Sequence, residues 1–234
     1  MWAPNATNVA VRLFHGDDAS DVICDGVNGG WWQTTSECAV GDEYMFVVGT
    51  TDGPVERMDP CARAVTNSVG RCLVVGDTFA WEHSDFVLAP VNELVIYELH
   101  PATFAGTLDD VAERLDHLVD LGVNCVELMP VAEFAGDVSW GYNPALPFAV
   151  ESAYGGPDAL RRFVDAAHGH GIGVVLDVVY NHLGPSDLDL WRFDGWHDGD
   201  GGGIYFYNDW RGETAWGATR PDYGRDEVRQ FLID

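Results

Sequence analysis

The segment GVVLDVVYNH, residues 173–182, carries the side chains most suited to chemistry, because Asp177 interrupts an apolar run that Asn181 and His182 close. The run predicts a strand over 172–180 that is buried on both faces, as in a parallel sheet. An acid in such a strand costs free energy unless it is hydrogen-bonded or binds a ligand. Barrel proteins place their reacting groups at the carboxyl ends of strands. We therefore expect the chemistry to lie near Asp177, Asn181 and His182.

Strands and helices alternate from Leu94 onward. Strands are predicted at 94–99, 123–131 and 172–180, and helices start at Thr107, Pro157 and Asp226. Thr107 and Asp110 have the spacing of a capping box. Three β-α units in order predict a parallel sheet with right-handed crossovers, either open or closed into a barrel. The long polar inserts at 132–155 and 183–224 favour the barrel, because the loops that follow its strands build the active face.

Residues 1–88 have a different pattern. Short apolar runs at 9–13 and 44–48 are separated by turns rich in Gly, Asp and Asn, which predicts a small β-sandwich. Trp31 and Trp32 could stack on sugar rings, although a tryptophan in a small β-domain more often packs in the core. We therefore divide the chain into a β-domain over 1–88 and an α/β region over 89–234.

The charge balance excludes some partners. The chain has 38 acidic residues and 12 basic ones, all of them Arg, for a net charge of −26. Nucleic acid and anionic membranes are poor partners, because phosphate binding needs basic patches. Without a predicted membrane span or leader, the cytoplasm is the expected location. The five cysteines are unevenly spaced and include no CxxC pair, which favours reduced thiols over disulfides or zinc.

With these residues in place, the chain resembles the α-amylase family of glycoside hydrolases and transglycosylases, glycoside hydrolase family thirteen. Five ordered blocks carry the resemblance: VIYELHPATF (95–104), GVNCVELMPV (122–131), SWGYNP (139–144), AYGGPDAL (153–160) and DVVYNH (177–182). The blocks WAPNA (2–6) and DPCAR (59–63) are similar to the immunoglobulin-like domain that precedes the barrel in branching enzymes.

The resemblance implies a fold and a binding site. It implies the first three units of a (β/α)8 TIM barrel over 89–234, preceded by an immunoglobulin-like β-sandwich of the glycan-binding type over 1–88. Tyr142 matches the tyrosine that stacks under the sugar at the cleavage subsite, and His182 matches the histidine that hydrogen-bonds that sugar. Asp177 matches a carboxylate that organises the site. Asn181 matches a calcium ligand of true amylases, but the similar branching enzymes generally lack that ion, so we predict neither a metal nor a cofactor.

The resemblance also ranks the activities. A 1,4-α-glucan branching enzyme comes first, because the block at 205–232 looks most like that group. Malto-oligosyltrehalose trehalohydrolase and glycogen-debranching hydrolase follow, because they share the spelling DVVYNH. The implied partner is α-glucan: glycogen, starch or maltooligosaccharides. Two rival hypotheses are a non-catalytic glucan-binding module that uses Trp31 and Trp32, and an open-sheet regulatory protein without glucan affinity.

The catalytic carboxylates are expected outside this sequence. Retaining glycosidases need two carboxylates about 5–5.5 Å apart. In the family these acids, with a third that assists them, follow strands four, five and seven, whereas Asp234 precedes strand four in the resemblance. We therefore expect no catalytic residue in the chain, which reads as a fragment cut at Asp234 and at its start, and no turnover by it.

The net charge of −26 generates a prediction about stability. Self-repulsion destabilises the compact state and salt screens it, so thermal unfolding should shift to higher temperature between low and molar KCl. A rise would favour the hypothesis of a salt-adapted source, whereas a melting temperature that does not rise with KCl would favour the alternative, Arg-rich codon usage combined with an acidic surface.

Overall fold

The protein is described by a computed structural model that covers residues 1–16, 18–136 and 138–233. Asp17, Asp137 within the predicted insert, and Asp234 at the end of the predicted barrel region lie outside the described residues.

The first region is antiparallel. Its strands are β1 (Asn8–His15), β2 (Asp18–Ile23), β3 (Asp25–Val27), β4 (Trp31–Gln33), β5 (Glu43–Thr50), β6 (Gly53–Arg57) and β7 (Cys72–Leu73). A five-stranded sheet has the order β2-β1-β5-β6, with β7 also paired to β5, and β3 and β4 form a separate hairpin. The all-β prediction for this region agrees with these elements. Its immunoglobulin-like identity stays a prediction.

The two tryptophans of the β3–β4 hairpin have different surroundings. Trp32 is half-buried, and its indole N–H donates to the Ala3 carbonyl at 3.0 Å. Trp31 is 37 % exposed and pairs through its backbone with the buried Trp2. Trp32 is therefore chiefly a packing residue, whereas Trp31 keeps a partly open ring.

The second region is built on a parallel sheet. Its elements are β8 (Ile96–Leu99), α1 (Pro101–Phe104), α2 (Leu108–Ala112), α3 (Leu115–Asp120), β9 (Cys125–Leu128), β10 (Ala132–Phe134), β11 (Pro144–Val150), α4 (Gly156–Gly169), β12 (Gly173–Leu176) and α5 (Asp226–Ile233). The parallel strands have the order β12-β9-β8, and β10 pairs with β11 in an antiparallel hairpin. This arrangement is consistent with the predicted partial TIM barrel.

The prediction of a long strand buried on both faces is wrong. The third parallel strand ends at Leu176 instead of Tyr180, and Val175 and Leu176 are 38 % and 44 % exposed. Asp177 is half-buried rather than buried. The main core lies on the side of the sheet that α2, α3 and α4 cover. Val175 faces the other side, where the described residues supply no second layer, whereas Leu176 is on the core side but in β12, which lies at the edge of the described sheet.

The helix predicted from Thr107 starts there but is broken. The Thr107 hydroxyl accepts the Asp110 N–H and the Asp110 carboxylate accepts the Thr107 N–H, which confirms the capping box. The chain then tightens into i→i+3 hydrogen bonds around Arg114, so two short helices replace one. Val119, in the second of these helices, is 43 % exposed. The helices starting at Gly156 and Asp226 agree with the prediction.

The insert at 183–224 is not the polar loop that its sequence suggests. Several of its side chains are buried in a second core together with residues of the first region and of α5. That core contains Trp2, Ala3, Val48, Leu183, Leu190, Phe193, Ile204, Tyr205, Phe206, Val228 and Phe231. The insert therefore joins the two regions.

Hydrogen bonds across the two regions reinforce this joint. The Asp194 carboxylate, 2 % exposed, accepts the backbone and side-chain N–H groups of Asn5, each at 2.9 Å, and the Trp196 N–H at 3.2 Å. The Arg57 guanidinium donates to the Phe193 carbonyl at 3.0 Å. These contacts fix the insert against the amino-terminal segment.

Two further points concern the chain as a whole. The five cysteines all lie in the described part of the chain, and none forms a disulfide bond. Among the described helices none has both the length and the apolar character needed to cross a membrane.

Asp194 generates a stability prediction. In Asp194→Ala three N–H groups of Asn5 and Trp196 lose a charged acceptor, and a hydrogen bond to a charged group contributes about 1.5–3 kcal/mol. We expect the free energy of unfolding to fall by at least about 2 kcal/mol in urea titrations. Asp200→Ala, in the exposed part of the same insert, is the matched control and should unfold like the wild type. Equal stability of the two variants would contradict this account of the joint.

Candidate functional site

A cleft of about 990 Å³ opens where the chain leaves the third parallel strand. Its lining consists of Ser139, Trp140, Tyr142, Asn143, Val178, Val179, Tyr180, Asn181, His182 and Trp216. This is the end of the sheet at which barrel proteins place ligands. Aromatic faces, amides and hydroxyl groups dominate, and none of the described lining residues is Asp, Glu, Lys or Arg.

Tyr142 and Asp177 are joined directly. Asp177 follows β12, and its N–H donates to the Leu128 carbonyl at 3.0 Å, so the parallel pairing fixes its backbone. Its carboxylate accepts the Tyr142 hydroxyl at 2.6 Å. This hydrogen bond, with a smaller effect of burial, raises the pKa of Tyr142 to about 12, because a tyrosinate would face a carboxylate. Asp177 itself lines a neighbouring cavity of about 260 Å³, so its contact with the cleft is through Tyr142.

His182 is held against the same loop. It is 6 % exposed, and its Nε2 donates to the Tyr142 carbonyl at 2.7 Å. Its Nδ1 accepts the side-chain N–H of the exposed Asn181 at 3.2 Å. Both ring nitrogens are therefore occupied, and a hydrogen bond from His182 to a ligand requires one of these bonds to open.

The four predicted site residues thus lie together, with three of them in the cleft wall and Asp177 behind Tyr142. Sequence reasoning missed Trp216, whose ring stacks on His182 with centroids 4.9 Å apart and planes within 10°. Trp216 is 70 % exposed, so one ring face covers His182 and the other is open. Trp140, also 70 % exposed, was missed although it lies in the same block as Tyr142. Trp216 lies in the non-periodic insert, where no sequence signal marks its place.

No group of three or more His, Cys, Asp or Glu side chains is arranged to hold a metal ion within residues 1–16, 18–136 and 138–233. Asp198 and Asp200, which have a calcium-like spacing, are both exposed. That the site uses no metal stays a prediction.

The Tyr142–Asp177 bond generates a prediction for titration. In Asp177→Ala the phenol loses both its acceptor and the adjacent negative charge, so the pKa of Tyr142 should fall from about 12 toward the ordinary value near 10. Ultraviolet difference spectra of the phenolate measure this, with Tyr142→Phe subtracted to isolate one of the 8 tyrosines. Asp187→Ala, an exposed acid outside the cleft lining, is the control. An unchanged Tyr142 titration in Asp177→Ala would refute the assignment.

Comparison with known proteins agrees with this geometry. The family described as "Alpha amylase, catalytic domain" matches residues 60–191. The chain is 38 % identical over 240 residues to a malto-oligosyltrehalose trehalohydrolase of Arthrobacter ramosus and 36 % identical over 250 residues to a 1,4-alpha-glucan branching enzyme of Corynebacterium glutamicum. Each alignment covers 100 % of this chain, but the chain spans only 40 % of the first relative and 33 % of the second.

A solved structure extends the likeness to the fold. A pullulanase from Anoxybacillus sp. LM18-11, complexed with maltotetraose, matches with a TM-score of 0.83 and 25 % identity, over 100 % of this chain and 40 % of that one. The family match covers more than half of the sequence and includes Tyr142, Asp177, Asn181 and His182. The chain therefore belongs to the α-amylase family, glycoside hydrolase family thirteen.

Proposed function

We propose that the cleft binds α-1,4-linked glucan as part of a retaining α-glucan-active enzyme. The observation that carries the proposal is the cleft wall, in which the exposed rings of Trp140, Tyr142 and Trp216 lie beside amide groups, and in which no described lining residue is Asp, Glu, Lys or Arg. A sugar ring presents apolar C–H faces and neutral hydroxyl groups, which suit aromatic faces and amides. The pullulanase that resembles this chain is complexed with such a sugar, maltotetraose.

Each side chain has a proposed role. Tyr142 stacks on the sugar, and its bond to Asp177 fixes the plane of the phenol ring. Trp216 offers a second stacking face, and Asn181 offers an exposed amide. His182 accepts a hydrogen bond from the sugar at Nδ1 when the Asn181 amide, 3.2 Å away, turns aside, and its Nε2 keeps the Tyr142 carbonyl. The partner is accordingly glycogen, starch or a maltooligosaccharide.

Two specific activities are supported by different observations. The block at 205–232 supports 1,4-α-glucan branching, and a branching enzyme is 36 % identical to the chain. The DVVYNH spelling supports malto-oligosyltrehalose trehalohydrolase, and such an enzyme is 38 % identical. The affinities of the chain for maltotriosyltrehalose and for maltopentaose distinguish the two activities. Tighter binding of maltotriosyltrehalose, which ends in trehalose, would favour the trehalohydrolase.

We propose further that this chain performs no turnover by itself. A retaining mechanism needs two carboxylates about 5–5.5 Å apart at the bound sugar. The described residues that line the cleft include no Asp or Glu, and Asp177 is bonded to Tyr142 behind that lining. Release of reducing sugar from starch by the purified chain, above the enzyme-free blank, would overturn this part of the proposal.

The proposal also divides the chain into two domains. We take 1–88 as an immunoglobulin-like domain and 89–234 as the barrel region. The antiparallel order β2-β1-β5-β6 supports the first, and the parallel order β12-β9-β8 supports the second. The partial burial of Trp32 weakens the rival binding module, which would use that ring on its surface.

Binding of maltotetraose tests the proposal. We expect Trp216→Ala to weaken binding about fivefold to tenfold in calorimetric titration, since an aromatic contact contributes about 1 kcal/mol. Trp210→Ala is the matched control, because Trp210 is 80 % exposed in the same insert but does not line the cleft. The proposal fails if the wild type binds no maltotetraose, or if the two variants bind it equally.

A further inference from the structure

We propose that His100 is a positioning residue for the cleft, acting through residues 139–143, the loop that carries Trp140 and Tyr142. His100 follows β8 and is outside the cleft lining. Its Nε2 connects the end of the first parallel strand to this loop, while its Nδ1 is used within its own segment.

The hydrogen-bond partners of His100 determine which nitrogen carries the proton. The Thr103 backbone N–H donates to Nδ1 at 3.2 Å, so the imidazole caps the helical turn α1. A nitrogen that accepts cannot also carry hydrogen, so the proton of the neutral ring is on Nε2. That nitrogen lies 2.7 Å from the Ser139 carbonyl oxygen, to which it donates.

Tyr154 fixes the orientation of the imidazole. Its hydroxyl oxygen lies 3.0 Å from Nε2 of His100 and shares the hydrogen with Ser139. Tyr154 is 1 % exposed, and its ring meets the edges of His100 and Phe134, with centroids 5.8 Å away in each case. The imidazole is therefore held in one plane by the main core.

Ser139 passes this restraint along the loop. Its hydroxyl donates to the Asn143 side-chain oxygen and accepts the Gly141 N–H at 3.1 Å. Gly141 has φ +87°, and an added Cβ would lie 2.3 Å from the Pro130 carbonyl oxygen, so the loop backbone sits directly on the end of β9.

The far end of the loop is held in the same way. His182, after the third strand, donates from Nε2 to the Tyr142 carbonyl at 2.7 Å. Two imidazoles that follow separate strands thus donate to two backbone carbonyls of one loop, and Trp140 lies between these two points. If the His100 donor is lost, the loop 139–143 that carries Trp140 is held by a histidine at its Tyr142 end only.

Two substitutions separate this role from simple packing. In His100→Asn the side-chain oxygen takes the place of Nδ1 and keeps the Thr103 cap, but no donor reaches Ser139. In His100→Gln the longer amide places an N–H near the position of Nε2. Amide hydrogen exchange of a peptide spanning 139–143 measures the restraint, with the α4 peptide, 156–169, as an internal control.

We expect faster exchange in the 139–143 peptide of His100→Asn, unchanged exchange in α4, and near wild-type exchange in His100→Gln. Maltotetraose affinity should fall about threefold to tenfold in His100→Asn and recover in His100→Gln. Wild-type exchange at 139–143 in His100→Asn, or equal acceleration in both variants, would overturn the proposal. Only the affinity measurement rests on the proposed function: a wild type that binds no maltotetraose refutes glucan binding, while the exchange measurement still decides the role of His100.

Discussion

The cleft depends on the hydrogen bonds that the backbone carbonyl groups of one irregular loop accept. Residues 139–143 belong to no helix or strand, so their carbonyl groups need donors from elsewhere. His182 supplies one of these donors at Tyr142, and this bond ties the loop to the end of the third strand. This backbone bond and the hydrogen bond from the Tyr142 hydroxyl to Asp177 together place Tyr142 in the cleft wall. The order of the binding surface therefore comes from side chains that are buried beneath it.

The insert at 183–224 connects distant parts of the molecule. Phe193 and Tyr205 are buried against the amino-terminal segment, whereas Trp216 in the same insert lines the cleft. The turn that presents Trp216 is closed by hydrogen bonds between Thr214 and Gly217. Because the insert packs on both regions, the first region supports one wall of the cleft without contributing a residue to it.

The predictable parts of this fold have local causes. The Thr107–Asp110 capping box and the apolar face of α4 can be read from a few neighbouring residues, and both are present. Asp177, Asn181 and His182 were found because they end an apolar run. The length of that run misled the prediction, because the strand ends at Leu176 and the apolar residues after it, such as Val178 and Tyr180, line the cleft.

The parts that escaped prediction depend on contacts far apart in sequence. Phe193, Tyr205 and Phe206 have no helical or strand period, so the second core is invisible until the chain is folded. Trp216 reaches His182 only through that core. His100 resembles an ordinary residue at a strand end, and nothing in its neighbours reveals that Ser139 lies 2.7 Å from its ring.

The cleft wall has a consequence for how the protein meets its surroundings. The chain carries a net charge of −26, yet none of the described residues that line the cleft has an acidic or a strongly basic side chain. When an uncharged ligand binds in such a cleft, no counterions are released to the solvent. The salt concentration then changes the fraction of molecules that are folded but not the affinity of a folded molecule for an uncharged ligand. Stability and ligand binding therefore respond to salt independently.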